Sequence, residues 1–325
     1  MAFLRSPLYA RLALFLLTIV LCRSTLLADN PQAELLLKQG RVDEAAAMLQ
    51  QILDAQPQDA RAHLLLCRVY YAQDMAESAV HECEQAVSDN PSDSDSEMWL
   101  GRAYGLKASQ INMLSAFGVA RKVHTAFERA VKLNPANLQA MSDLGQFYVA
   151  APGVVGGGVD KAEELVPRMM PRSSQKAHRI LALIAKKKND SATAEAEFKN
   201  AIAAGKNAEA WVDLGLFYQQ ESQPDKAAAA IETSVQLNRT RNSALVDAAS
   251  ILTDIHRRPD LAEKVLRDYL ASPAKTDDAP AFKVHLQLGD LLKKRGDTEG
   301  ARREYAAALA LASNFGPAQK AVPGA

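Results

Sequence analysis

The sequence has no surplus of charge, since 38 Lys and Arg balance 38 Asp and Glu. That removes the basic excess by which chains usually hold nucleic acid, so no nucleic-acid partner is expected beyond what a local patch could hold. Aromatic residues make up only 6% of the chain, whereas Ala is abundant, which suits helices packed closely through small side chains. No stretch alternates strictly between apolar and polar residues, and no hairpin dipeptide separates β-branched runs, so sheet is excluded. The chemistry-bearing motifs are missing as well. There is no Gly-x-Ser-x-Gly elbow, no His-Glu-x-x-His spacing among six histidines, and no spaced Gly-Lys-Ser/Thr phosphate loop. Neither catalysis, a cofactor nor a metal site is expected.

Beyond the N-terminus no long apolar run occurs. Residues 1–28 read as a signal peptide: Arg5 and Arg11 open it, Leu12 to Leu21 is apolar apart from Thr18, and Ala28 ends a small-residue cut site. The run is about half the ~20 residues needed to span a bilayer, and Arg23 closes it. An uncleaved anchor, which would be the only membrane contact, and a lipid anchor on Cys22 are the other readings. Cys22 would leave with a cleaved signal. Cys67 and Cys83 then either pair in an oxidising compartment or stay as two buried small residues.

What the chain does have is a rhythm. At 325 residues it is too long for one ordinary core, which favours two domains or a repeat array. Its apolar pattern is helical from Asp29 onward. Pro57 and Pro91 lie 34 residues apart, and Pro135 follows after an insertion; each stops a helix, because proline lacks an amide hydrogen and clashes with the preceding turn. Leu100, Gly101 and Tyr104 return as Leu144, Gly145 and Tyr148, and again as Leu214, Gly215 and Tyr218. Ala79, Cys83 and Ala86 return as Ala194, Phe198 and Ala201, then as Ala301, Tyr305 and Ala308. Small residues at these places let one helix approach the next, and large ones fill the space between units.

In these residues the sequence resembles the tetratricopeptide repeat family, whose unit is a helix–turn–helix of roughly 34 residues. The resemblance implies an all-α, right-handed α-solenoid of about eight helix–turn–helix repeats. They start near residues 26, 60, 94, 138, 175, 208, 243 and 282. Residues 29–59 form a partial first repeat, 60–315 the solenoid, and 316–325 a tail or the start of a capping helix. Trp211 holds the family's bulky position, which His63, Met141, His178 and His285 take elsewhere, so these histidines are expected to pack rather than ligate. Unit seven fits poorly, with Ala249 and Leu252 where Gly and Tyr are usual.

Two insertions interrupt the rhythm. About ten extra residues between Ala103 and Phe127 should lengthen both helices of unit three. Pro152, Gly153, Gly156, Gly157 and Gly158 precede the second helix of unit four. They read as a flexible turn feeding a helix capped by Asp160 with Glu163, or as an anion site on that helix end.

The resemblance also implies that the first helices line a concave groove for a protein or peptide partner. Carried over by position, the groove would present Arg61, Leu64, Arg68, Tyr71, Met98 and Arg102 from units two and three. Units five and six would add Lys176, Arg179, Leu183, Lys187, Val212 and Leu216. Apolar anchors beside cations that catch carboxylates or carbonyls suit such a partner, although a polar face kept for solubility is the plainer reading of any single residue. The function expected is therefore a non-catalytic interaction scaffold outside the cytoplasm, periplasmic or otherwise extracytoplasmic. The competing reading is a small-ligand-binding accessory component of a transport or envelope system.

Overall fold

The structure is a computed structural model that describes residues 29–322; the expected signal segment, 1–28, lies outside the described residues. The described residues form 17 helices and no strand. Eight antiparallel pairs follow one another. Unit one joins α1 (Asp29–Lys38) to α2 (Val42–Ala55), and unit two joins α3 (Ala60–Ala72) to α4 (Ala76–Asp89). Unit three has α5 (Ser94–Gln110) and α6 (Met113–Leu133); unit four has α7 (Leu138–Ala150), a short 3-10 turn at Gly153–Val155, and α8 (Val159–Met169). Units five and six are α9 (Ser174–Lys187) with α10 (Ser191–Gly205), and α11 (Ala208–Gln220) with α12 (Pro224–Leu237). Units seven and eight are α13 (Ala244–Asp254) with α14 (Pro259–Leu270), and α15 (Ala281–Lys294) with α16 (Thr298–Leu311). A last short helix, α17 (Gly316–Ala321), caps the array. The described starts fall within a few residues of those read from the repeat.

Local chemistry repeats with the units. The side chains of Asp59, Asp93, Asn137, Ser173 and Asn207 accept backbone N–H bonds and so cap first helices, leaving fewer orphan donors. In the turn inside several units one residue takes the left-handed conformation: Asp74, Asn189, Ser222, His256 and Gly296. Pro57, Pro91 and Pro135 lie just past the second helices that end at Ala55, Asp89 and Leu133.

Helices of a pair meet through the expected small residues. A Cβ on Gly101 would stand 2.5 Å from the Phe127 ring, and one on Gly215 would stand 2.6 Å from Ile231 Cδ1. Gly289 meets Tyr305 in the same way. Unit seven solves the problem differently, burying Ala249 and Leu252 completely. The bulky-position histidines do pack, and each also bonds a carboxylate on the second helix of its unit. His63 Nδ1 lies 2.6 Å from Glu82, and His178 and His285 lie 2.7 Å from Glu197 and Glu304. Cys67 and Cys83 form a disulfide between α3 and α4, so of the two readings left open, the structure takes pairing.

Both insertions behave as extensions of turns. α5 and α6 run to 17 and 21 residues, against 13 and 14 in the unit before. In unit four the glycines serve close approach. Gly156 is left-handed, at φ 101°, and a Cβ on it would stand 2.6 Å from His124. Asp160 does not cap α8: the helix starts one residue earlier, with Gly158 before it and no side-chain bond to the cap.

The array closes on itself. Ala33, Leu37 and Leu49 of unit one share a hydrophobic core with Phe282, Ala308, Ala312 and Phe315 of unit eight and the cap. Phe282 and Phe315 meet edge to face, with centroids 4.9 Å apart. Gly40, at φ 79°, brings its backbone against Ala281, where any Cβ would collide with the amide nitrogen at 2.6 Å. Asp43 Oδ2 accepts a bond from the Ser313 amide at 2.8 Å. A solenoid normally leaves its end units half-bare, but here each end covers the other.

Candidate functional site

Closure turns the concave face into an inner wall, built mainly from the first helices. The predicted groove residues separate into four sets on it. Leu64, Met98 and Val212 are buried in the core, so they do not reach the groove; the carried-over positions point them between helices instead of inward. Arg61 lies at the rim, its Nη2 2.6 Å from Glu34. Tyr71, Arg68, Arg102, Lys176, Arg179 and Leu183 are half-buried, and Leu216 and Lys187 are exposed.

Apart from Lys187, the cations are already occupied. Arg68 binds Asp277 through Nε and Nη2, both at 2.8 Å. Arg102 Nε donates to Asp143 Oδ2 at 2.7 Å, and its Nη1 lies 3.7 Å from Asp278. Both guanidinium groups lie over the Trp99 ring, 5.2 and 4.6 Å from its centroid, and Tyr71 meets that ring edge-on at 5.5 Å. Arg179 Nε donates to Asp213 Oδ1 at 2.9 Å. Lys176 reaches Gln139 at 3.0 Å; burial, helped by Arg179 nearby, holds its ammonium below the usual lysine range.

These bonds link neighbouring units. Arg102 to Asp143, Arg179 to Asp213 and Gln219 to Asp254 each join one first helix to the next, giving a polar ladder along the wall. The partner acids Asp143, Asp213, Asp277 and Asp278 were missed in the sequence; for Asp143 and Asp213 the signal available was a separation of roughly one unit from a groove arginine, and for Asp277 and Asp278 there was none. Asp277 and Asp278 stand apart, because they come from the loop between α14 and α15, which reaches across to units two and three.

Asp247 has no ion-pair partner among the described residues. It faces inward, reached by solvent yet surrounded by protein, and desolvation with Asp213, Asp278 and Glu209 close by pushes its carboxyl up to about 6. Burial, reinforced by Asp277, likewise raises Asp278.

Two cavities open on this wall. One, of about 500 Å³, is lined by Tyr71, Arg102, Asp143, Gln146, Phe147 and Asp278. The other, also about 500 Å³, lies at the seam, between Asp74, Lys283, Leu286, Asp290, Lys294 and Phe315. Among the described residues no group of three or more His, Cys, Asp or Glu gathers as a metal site, and no helix is long and apolar enough to cross a membrane.

Paired helices stacked into a superhelix, with a continuous polar inner wall, define an α-solenoid of helical hairpins. Residues 36–104 and residues 181–242 each match a tetratricopeptide repeat family model, so the chain is similar to tetratricopeptide repeat proteins over these two stretches. Such proteins are interaction scaffolds that bind protein partners and are typically non-catalytic. No curated protein matches the sequence. Among solved structures, yeast Tom70 is 15% identical with a TM-score of 0.52, covering 86% of this chain and 57% of its own. A thermophilic repeat protein of Thermus thermophilus is 19% identical, covering 69% of this chain and 99% of its own, with a TM-score of 0.45. A repeat protein of Parabacteroides merdae is 12% identical over 92% and 96% of the two chains, with a TM-score of 0.47. The likeness to Tom70 is one of fold, and the chain spans little more than half of that protein.

Proposed function

We propose that this protein is an exported scaffold that holds a segment of a partner protein against its inner wall. The observation that carries the reading is the cavity between Tyr71 and Phe147, where two aromatic side chains stand beside Arg102, Asp143, Gln146 and Asp278. Aromatic anchors next to polar groups of both signs suit a peptide, whose side chains are apolar and whose backbone both donates and accepts. Because the arginines are paired within the wall, specificity comes from the whole ladder and not from free cations.

Export has two supports of different kinds. The N-terminal 28 residues have the make-up of a signal, and the two remaining cysteines pair, a bond that persists outside reducing compartments. N-terminal sequencing of protein from its host tests this; a chain beginning at Asp29 in the exported fraction is the expected result.

The partner reading is tested by placing a photo-crosslinking residue at Tyr71 or Phe147 and, as a control, at Lys264 on the outer face. Adducts from the inner positions alone are expected, and equal adducts from both faces would remove the inner wall from the proposal. A small ligand is the second reading, favoured by closure around cavities of about 500 Å³, a size that suits drug-like molecules. A thermal shift of several degrees with a metabolite, with no inner-wall adduct, would select it.

A further inference from the structure

The two insertions lie side by side on one edge of the solenoid, and the inner wall uses neither. The short helix Gly153–Val155 packs against α6, and Gly156 sits against His124 of the same helix. Seven more residues in α6 than the 14 of α4 carry the unit-three turn about 10 Å beyond its neighbour. At the end of that extension are Met113, 79% exposed, Leu114, 86% exposed, and Phe117, 40% exposed. Val154 on the adjoining turn is 63% exposed. Large apolar side chains bared together on a projecting tip are unusual for a protein with no partner for them.

The segments that build this tip carry no acid of their own. Residues 98–127 and 144–159 contain no Asp or Glu. Arg121 follows Phe117 by one helical turn, and Arg121 and Lys122 are exposed and without an ion pair among the described residues; Lys122 rests over the Tyr104 ring. Of the acids nearby, Glu97, which shares a cleft with Arg121 and Lys122, is bound by Arg129 at 3.0 Å, and Glu84 accepts a bond from the Tyr104 hydroxyl. Glu77 is bound by Lys107 at 2.7 Å and Asp74 by Lys283 at 2.7 Å, while Asp160 lies just past the glycine turn.

We propose that this tip docks on a lipid bilayer bearing anionic headgroups, a membrane contact separate from the N-terminal apolar segment. Met113, Leu114 and Phe117 enter the boundary between headgroups and acyl chains, while Arg121 and Lys122 meet the phosphates. Leu114 and Arg121 are separated by seven residues, about 10 Å along the helix, which matches the depth to which interfacial apolar side chains sink. A bilayer requires only this depth and this sign of charge. A cleft of about 290 Å³ lies beside the tip, between Tyr104, Arg121 and Lys122, but Met113, Leu114 and Phe117 project outside it, so it does not seat them on a protein partner. A second copy would set two basic tips against each other.

The test uses the full chain carrying Cys22→Ser, so that the Cys67–Cys83 disulfide leaves no other thiol. A nitrobenzoxadiazole label is placed at Leu114→Cys or, as a control, at Lys264→Cys on the outer face of α14. Vesicles of phosphatidylcholine, with and without phosphatidylglycerol, are then added. Because the readout is local, whatever residues 1–28 do does not affect it. The expected result is a several-fold rise in emission at position 114 with anionic vesicles alone, no rise at 264, and loss of the rise in Arg121→Glu/Lys122→Glu. No change at 114, or an equal rise with phosphatidylcholine alone, would overturn the proposal. So would a rise that depends on protein concentration without vesicles, which would make the tip a self-association surface.

Discussion

Arg68 and Asp277 are 209 residues apart in sequence and 2.8 Å apart in space. Their side chains are only 11% and 8% exposed. The pair fastens the loop before α15 to the inner wall of unit two, beside the apolar seam where Leu37 and Phe282 are buried together. Closure therefore has an apolar half and an ionic half. Asp277→Ala leaves a buried guanidinium with only the more distant Glu34, 3.9 Å away, and should cost about 3 kcal/mol. The double variant Arg68→Met/Asp277→Leu should cost less, since it leaves no orphan charge. Chemical denaturation of the three proteins checks the order, and equal losses would mean that the pair does not bridge the seam.

Gly215 faces Ile231 so closely that no side chain fits between α11 and α12 without displacement. Gly215→Leu should overpack this pair and cost about 1–3 kcal/mol. Gly118 offers a control, because a Cβ there meets nothing within 4 Å. Gly118→Ala should be neutral or slightly stabilising, through helix propensity. Melting curves that rank the two variants the other way would show that the helix pair is registered differently.

The parts of this fold that were legible in the sequence are those set within one unit. Gly101, Gly145 and Gly215 recur because each answers the same local demand, and so do Ala79, Ala194 and Ala301. The histidines were legible only in part. His63, His178 and His285 were read as bulky fillers, but the carboxylate 19 residues after each, which fixes the ring, was overlooked although its spacing is constant. Closure was not legible. Whether Gly40 meets Ala281 depends on the twist summed over eight units, and no short pattern encodes that sum. The same limit explains the groove. Arg102 and Arg179 were read as free cations because their partners, Asp143 and Asp213, lie a whole unit further on. Leu64, Met98 and Val212 show that a positional rule assigns faces only to within part of a helical turn.

The disulfide between Cys67 and Cys83 closes a loop with a sequence separation of 16 within unit two. A cross-link of that span stabilises by about 3 kcal/mol in the chain-entropy account, through restriction of the unfolded chain. Reduction, or Cys67→Ser/Cys83→Ser, should lower the melting temperature, while unreduced protein should show no reactive thiol at either position. Two titratable thiols there in protein purified from its host would place the chain in a reducing compartment.

Asp247 gives the inner wall one group that responds to pH in the mildly acidic range. Its folded carboxyl titrates near 6, above the ordinary aspartate value of 3.8, because burial and the surrounding acids disfavour its charge. Between those two values the folded state holds a proton that the unfolded state has released, so the unfolded chain binds fewer protons and stability falls as pH rises. Below the lower value both states are protonated, above the upper value both are ionised, and the contribution is flat at each end. Glu34 works in the opposite sense: despite burial, hydrogen bonds from Lys38 and Arg61 hold it below its ordinary value, so it loses stability on acidification. The quantity to measure is therefore the difference between the wild type and Asp247→Asn, across melting curves from pH 3 to 8. That difference should grow in favour of the variant from about pH 4 to about pH 6 and then level off. A difference that stays constant over the range would mean that Asp247 titrates as an ordinary surface acid.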